Sequence, residues 1–412
     1  HINPDLLFIG TEFGIYFTIN RGDSWKQLKD GLPTISFRDL VIQREHEDLV
    51  AASFGRSFYV LDNYAFLREL SDDVMQENAV LFKPRDTYLY SPRRDGRQKS
   101  GSLGGQNFYG KNPEHGVLFD YYIKEKSKTN NEKRTKTEKE LNKKNKDIDF
   151  PGWEVLAAER HEKSPQYWLE ISDSQGNIIR KLKLKNSKGI HRTAWDMKGS
   201  SLWPVTKNTT DKNSQNRGWY VAPGNYIAQL YRIEGKDIST LGNTVEVNLK
   251  PLSKSTLAPQ SILEQQAYAK QYMDAQVRRS IIIKRYDEIQ NKIKAMLVAT
   301  KKGSSPLSSV ISPLQAINDS IIELKTSFYG NEAKNAVGEK KYPTLNDRMN
   351  AAGAPLWGSS YGPTQTSKNS LAIANELMDN YENQITELNT QLEKLYNDLK
   401  DAGAPVILEM VD

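Results

Sequence analysis

The hydrophobic positions follow two different periods along this chain of 412 residues. In the first 255 residues, apolar and polar residues alternate in short runs bounded by Gly, Pro, Asn and Asp, which is typical of β-strands joined by turns. From residue 256 onward, apolar residues recur at steps of three and four, which is the period of an amphipathic helix. The pattern therefore predicts a β-rich part followed by a helical part.

The first β-rich segment, residues 1–78, is predicted to contain five short strands. They are expected at residues 6–10, 14–18, 37–42, 48–53 and 57–62. Between the second and the third lies the run TINRGDSW, residues 18–25. In this run Asn20 can accept hydrogen bonds from turn amides, and Gly22 can adopt a positive φ. We expect a hairpin turn under which Trp25 packs as a buried side chain.

The run resembles the Asp-box, the Ser/Thr-x-Asp-x-Gly-x-Thr/Ser-Trp hairpin of sialidase-type and sortilin-type β-propellers. Thr18, Gly22, Ser24 and Trp25 occupy matching positions, and Asn20 replaces the usual Asp. An Asn side chain still accepts a hydrogen bond at this position. The resemblance implies that the box is structural and lies on the rim away from the ligand face.

Arg56 lies before the last predicted strand of this segment, in the phrase LVAASFGRSFYVLDN of residues 49–63. The phrase is similar to the closing blade of the same propellers, so the resemblance implies that residues 1–78 are the C-terminal blade or blades of a propeller. In such a blade, Arg56 either reaches a ligand in the central channel or pairs with a neighbouring blade. The second interpretation is favoured.

Residues 79–255 are predicted to form an immunoglobulin-like β-sandwich, because about seven short strands alternate with turn signals. The strands are expected at residues 79–82, 87–90, 116–123, 167–172, 178–182, 189–196 and 224–231. The stretches LEISDSQGNIIRKL, KGIHRTAWDMKGSS and VAPGNYIAQLYRIEGK resemble the immunoglobulin-like domain of the bacterial flagellar hook-capping protein. Residues 198–218 depart from that domain by a polar insertion.

A charged insertion at residues 124–149 carries ten Lys/Arg against six Asp/Glu. A mixed-charge run of this kind is typical of a solvated loop or a short exposed helix. Nucleic-acid binding is disfavoured because no aromatic residue interrupts the run to stack on bases.

Several aromatic residues of the β-rich part fall in loop-like sequence. They stack on sugar rings or pack the sandwich onto its neighbours, and packing is the favoured interpretation. These residues are Tyr88, Tyr90, Phe108, Tyr109, Trp153, Trp203, Trp219 and Tyr220.

Residues 256–412 are predicted to form an antiparallel helical bundle. Apolar residues at steps of three and four form stripes over residues 282–296, 314–328 and 374–399. The connection before the last helix contains Trp357 and Tyr361. These two side chains either cap one end of the bundle or contact a ligand or partner, and capping is favoured.

Composition excludes several kinds of chemistry. The chain has no cysteine, which excludes disulfides, thiol catalysis and Cys-ligated metals. The five histidines are scattered without ligand spacing, and no carboxylate pair falls in a motif. We therefore expect no catalytic residue, metal or cofactor in this chain.

No apolar run approaches the roughly 20 residues that span a bilayer. The chain begins at His1 without a visible signal peptide, so we read it as part of a longer protein.

The order of the parts resembles the C-terminal third of exported proteins of Bacteroidota-like bacteria that are labelled glycosyl hydrolases with sialidase-type or sortilin-type repeats. The resemblance implies a multidomain β + α protein at an extracellular, cell-surface or periplasmic location. We expect a module that binds a glycan or peptide, or assembles into a cell-surface or outer-membrane complex, without a complete active site and without nucleic acid. The alternative is the non-catalytic part of a glycoside hydrolase of the sialidase or xyloglucanase type.

Overall fold

The computed structural model describes residues 2–90, 110, 112–201, 205, 218–252, 262–303, 307–339, 342–358 and 361–410. The fold is mixed β and α, with several sheets followed by a helical region, as the sequence predicts. The chain forms two compact units. Unit 1 contains residues 1–199 and 223–254, and unit 2 contains residues 200–222 and 255–412.

Unit 1 begins with two antiparallel three-stranded sheets. The first is made of β1 (Leu7–Thr11), β2 (Gly14–Thr18) and β3 (Lys26–Leu28), and the second of β4 (Phe37–Gln43), β5 (Asp48–Ser53) and β6 (Phe58–Leu61). Strand β3 was not predicted, because its three residues are too few to show an alternating pattern. Ile15, Phe37, Leu49 and Leu67 are buried in the core that the two sheets share, and Phe82 extends this core beyond residue 78.

The rest of unit 1 contains a five-stranded and a three-stranded sheet. The smaller sheet has the order β12-β9-β7, with β7 at Ala79–Leu81, β9 at Val117–Ile123 and β12 at Gly189–Trp195. The larger one has the order β11-β10-β13-β14-β8. Its strands are β8 (Thr87–Leu89), β10 (Gln166–Asp173), β11 (Ile178–Leu184), β13 (Gly224–Glu234) and β14 (Asp237–Pro251). Strand β14 was not predicted, since most of its side chains are exposed and few are apolar.

Two helices lie between β9 and β10. Helix α1 (Asn130–Lys143) falls in the charged insertion and begins with a capping box, in which Thr129 and Glu132 bond each other's backbone amides. It buries none of its side chains, so the insertion contains an exposed helix, one of the two predicted forms. Helix α2 (Trp153–His161) was not predicted, and Arg134 of α1 pairs with its Glu159 at 2.7 Å.

Unit 2 contains α3 (Ile262–Lys302), α4 (Leu307–Tyr329), α5 (Glu332–Ala336), α6 (Leu345–Gly358) and α7 (Gln365–Asp401). The three long helices coincide with the predicted stripes, whose residues are buried in one core. Tyr381, in the first half of α7, stacks on Phe328 near the end of α4, and Ser309 near the start of α4 lines a cleft together with Asp398 near the end of α7. Arg278 and Lys292 of α3 bond Glu382 and Asn389 of α7, in the same order along both helices. Helix α4 therefore runs antiparallel to α7, and α3 runs parallel to it.

The sequence also missed α6, because Gly353 and Pro355 mask its helical period. Thr364 caps α7, accepting a hydrogen bond from the Ser367 amide at 3.2 Å. After α7, Leu408–Met410 form a 3-10 turn.

Candidate functional site

The Asp-box-like run forms the turn between β2 and β3. Thr18 is 1% exposed, and its hydroxyl accepts hydrogen bonds from the amides of Asn20 at 3.2 Å and Gly22 at 3.0 Å. The Asn20 side-chain oxygen accepts from the Ser24 amide at 3.0 Å, and its amide nitrogen donates to the Ser24 hydroxyl at 3.0 Å. Gly22 has a φ of 107°. These side chains are all used to hold the turn.

Trp25 is less buried than we expected. Its side chain lies over the turn, with ring atoms 3.8 Å from where a Cβ on Gly22 would be, but the residue remains 42% exposed. The expectation of a fully buried tryptophan is therefore wrong. One edge of the ring packs on the turn at Gly22. Truncation should cost less than the roughly 3–5 kcal/mol lost with a buried tryptophan.

The three predicted ligand-contact residues belong to different units of the chain. Arg56 is exposed in the tight connection from β5 to β6, in unit 1. Trp357 lies in helix α6 of unit 2, and its side chain is outside the described residues. Tyr361 lies between α6 and α7 and is 40% exposed. Their roles stay predictions.

The loop aromatics separate into packing and exposed residues. Trp219 packs against the core of unit 2, and Tyr220 is 7% exposed and donates its amide to the Leu356 carbonyl at 3.3 Å. Trp153 is 77% exposed at the start of α2. Phe108, Tyr109 and Trp203 lie outside the described residues.

Tyr88 and Tyr90 line a cleft of unit 1, which we call the tyrosine cleft and which has a volume of about 700 Å³. Its other lining residues are Arg44, Glu45, His46, Glu47, Arg85, Asp86, Thr87, Asn112, Pro113, Glu114, His115, Gly116, Leu118 and Leu252. Tyr88 and Tyr90 are two residues apart on an extended segment, so they point to the same side. They are 43% and 45% exposed, while Leu89 between them is buried.

Ion pairs and hydrogen bonds hold the segment that carries the two tyrosines. Strand β8 pairs in parallel with the end of β14, and Asp86 forms an ion pair with Lys250 of that strand. Arg85 donates to the carbonyl of His46 in the turn between β4 and β5, and lies 3.7 Å from Asp48. The wall formed by β8 is therefore fixed to two neighbouring elements.

His115 also lines the tyrosine cleft and packs against Tyr90. Its ring lies edge-on to the Tyr90 ring, with centroids 4.7 Å apart, and both ring nitrogens are shielded from solvent. Burial lowers the pKa of His115, and nearby Asp196 opposes that shift. Gly116 next to it has a φ of 119°, and a Cβ there would lie 1.9 Å from the Trp195 carbonyl oxygen. Only glycine therefore allows this approach of the chain to β12.

Two of the four acidic residues that line the tyrosine cleft are engaged in ion pairs. Glu47 pairs with Arg68, and Asp86 pairs with Lys250, which lowers the pKa of Asp86. A carboxylate in such an ion pair accepts hydrogen bonds but is a poor general acid. Together with the aromatic faces of Tyr88 and Tyr90, the cleft offers stacking surfaces and hydrogen-bonding groups.

No protein-family model matches this chain, and a search of curated proteins finds no match either. None of the described helices is both long enough and apolar enough to cross a membrane. Within the described residues, there is also no group of three His, Cys, Asp or Glu side chains placed to hold a metal ion.

Sequence reasoning singled out Tyr88 and Tyr90 but missed Arg85, Asp86 and His115. The alternation of Tyr88, Leu89 and Tyr90 was visible and indicates two side chains on one face. His115 had no such signal, because it reaches the tyrosine cleft only through the close approach of Gly116 to β12.

Proposed function

We propose that this chain is a glycan-binding segment of a larger exported protein and that the tyrosine cleft holds the glycan. The observation that carries this proposal is the pair Tyr88 and Tyr90, which point to the same side of a fixed wall and are more than two-fifths exposed. Large aromatic side chains are usually buried, so two exposed together on one wall favour a contact role.

A sugar ring suits this cleft because it has apolar C–H faces and polar edges. The tyrosine faces match the former, and the ion-paired Asp86 and Glu47 together with Arg85 match the hydroxyls at the edges. Binding pockets commonly combine aromatic walls with a few placed polar groups. Its volume of about 700 Å³ is within the range of about 300–1,000 Å³ for small-ligand sites.

We further propose that residues 1–78 are the last blade or blades of an Asp-box β-propeller, and that residues 79–255 contain an immunoglobulin-like sandwich. The turn at Thr18–Trp25 supports the first assignment, as does the outward face of β4–β6. That face carries the exposed apolar residues Val41, Val60 and Phe58, at 55%, 52% and 70% exposure. The opposite face of the same sheet is also apolar and is buried in the core of the two sheets. Apolar residues on both faces suit a sheet that is covered by a neighbour on each side.

The experiment is a glycan array screen of the full chain, followed by calorimetry with the best neutral oligosaccharide. Tyr88→Ala and Tyr90→Ala are each expected to weaken binding about tenfold, since stacking faces are lost. Tyr342→Ala is the matched control, because Tyr342 is 95% exposed and does not line the tyrosine cleft. Equal affinity for all three variants and the parent would refute the proposal.

A further inference from the structure

A second cleft of unit 1, which we call the basic cleft, has a volume of about 580 Å³. Five cationic side chains line it, and they come from the loop after β9, helix α1 and strand β13. These are Lys124, Lys126, Lys128, Lys133 and Arg232. Glu125 and Glu234 are the acidic residues among the described lining, which leaves a net charge of +3.

The loop that carries three of these lysines is held in place by its backbone. The Lys124 amide donates to the Asn78 carbonyl at 3.0 Å. Asn186 accepts from the Ser127 amide at 2.9 Å, and donates to the carbonyls of Ser127 at 2.9 Å and Pro165 at 3.1 Å. The basic cleft therefore has a fixed floor, and its charges are not brought together by a freely moving loop.

Two of the five cations are available for an anionic ligand. Lys126 pairs with Glu132 at 2.8 Å, and Arg232 pairs with Glu234 at 3.1 Å. Lys124 donates to the Gln76 carbonyl at 2.8 Å. Lys128 and Lys133 lie on either side of the α1 N-terminus. Neither has a carboxylate within ion-pair distance among the described residues. The α1 N-terminus adds little attraction of its own, because the Asn130 amide donates to the Glu162 carboxylate at 2.8 Å and the Thr129 amide donates to Glu132 at 3.1 Å. Lys128 and Lys133 therefore carry the positive charge of this end.

We infer that the basic cleft binds an acidic glycan, a polymer whose sugars carry carboxylate or sulfate groups. The polymer class rests on the proposed glycan binding, but the site is separate from the tyrosine cleft. A nucleic acid suits the basic cleft less well, because single strands bind by stacking bases on exposed aromatic rings. Its aromatic residue, Tyr167, is 4% exposed, and the Tyr167 hydroxyl bonds the Ser127 hydroxyl at 2.7 Å.

The test measures binding of the full chain to four immobilised polymers: polygalacturonate, dextran sulfate, neutral dextran and oligo-dT. The double variant Lys128→Glu/Lys133→Glu is compared with Lys139→Glu/Lys143→Glu. The control changes the charge by the same amount on exposed residues of the same helix, outside the basic cleft. We expect binding to one or both acidic glycans, weakening with salt, and a loss of about tenfold or more in the first variant only.

Preference between the carboxylate and the sulfate polymer identifies the anionic group. Equal losses in both double variants would show that net charge alone is responsible and would overturn the inference. So would oligo-dT binding as tight as that of the acidic glycans, or no binding to either of them. Neutral-oligosaccharide binding reports on the tyrosine cleft and acidic-polymer binding on the basic cleft, so failure of the tyrosine cleft and failure of the basic cleft are distinguishable.

Discussion

At the scale of single residues, burial decides which polar groups matter. The Arg21 side chain, which pairs with Asp5, is 74% exposed, whereas the Asp120 side chain, which pairs with Arg192, is only 5% exposed. His115 of the tyrosine cleft is intermediate in exposure, and its protonation can be followed through the pH dependence of stability. Burial lowers its pKa below the ordinary 6.5, with Lys198 acting in the same direction and Asp196 against it.

A lowered histidine pKa predicts how the stability of unit 1 changes with pH. The unfolded chain takes up a proton near pH 6.5, while the folded chain takes it up only at lower pH. The contribution is therefore fully present above pH 6.5 and is lost as pH falls through the folded-state pKa. Denaturant unfolding between about pH 7.5 and about pH 5.5 should show a steeper loss in the parent than in His115→Gln. Parallel curves for the two proteins would contradict this.

At the scale of elements, one arginine connects three parts of unit 1. Arg192 of β12 forms a bidentate pair with Asp120 of β9, at 2.7 and 2.9 Å. It also donates to the carbonyls of Asp62 at 2.6 Å and Asn63 at 2.8 Å, just after β6. Desolvation raises the pKa of Asp120, and the Arg192 pair opposes that shift. The three-stranded sheet is thus joined to the end of the β4–β6 sheet.

Removing this arginine should destabilise unit 1 strongly. Arg192→Leu leaves the buried Asp120 without its counter-ion, a loss that typically costs about 3–5 kcal/mol. Arg21→Leu is the control, because its pair with Asp5 is exposed and such pairs contribute little. The measurement is the free energy of unfolding in denaturant. A small and equal effect of both substitutions would show that Arg192 does not hold the elements together.

The element scale also shows how far the sequence predicts this structure. A long periodic stripe such as Ala374–Leu399 predicts both the helix and its buried face, because apolar residues recur every three or four positions along it. Strand β14 and helix α2 lack such a stripe, since they are mostly exposed and bury few side chains. The tyrosine cleft was predictable only through Tyr88 and Tyr90. The residues around them meet by tertiary approach, which a linear pattern does not encode.

At the scale of the whole molecule, the chain passes between its two units more than once. Residues 218–222 follow the polar insertion of the sandwich sequence, yet they belong to unit 2. Val221 and Ala222 are 2% and 3% exposed, and Trp219 packs against the helical core. Unit 2 is therefore built mostly, but not wholly, from the C-terminal helices.

This arrangement predicts how the fragment of residues 255–412 behaves. It keeps the buried stripes of α3, α4 and α7, so we expect a cooperative helical melt by circular dichroism. It lacks Trp219 and the bond from the Tyr220 amide to the Leu356 carbonyl, so α6 should lose protection first. Hydrogen exchange should therefore be faster in α6 of the fragment than in α6 of the full chain, while the centre of α7 changes little. Trp219→Ala in the full chain should reproduce part of that difference. A fragment without a cooperative melt would refute the independent core, and unchanged protection of α6 would refute the contribution of residues 218–222.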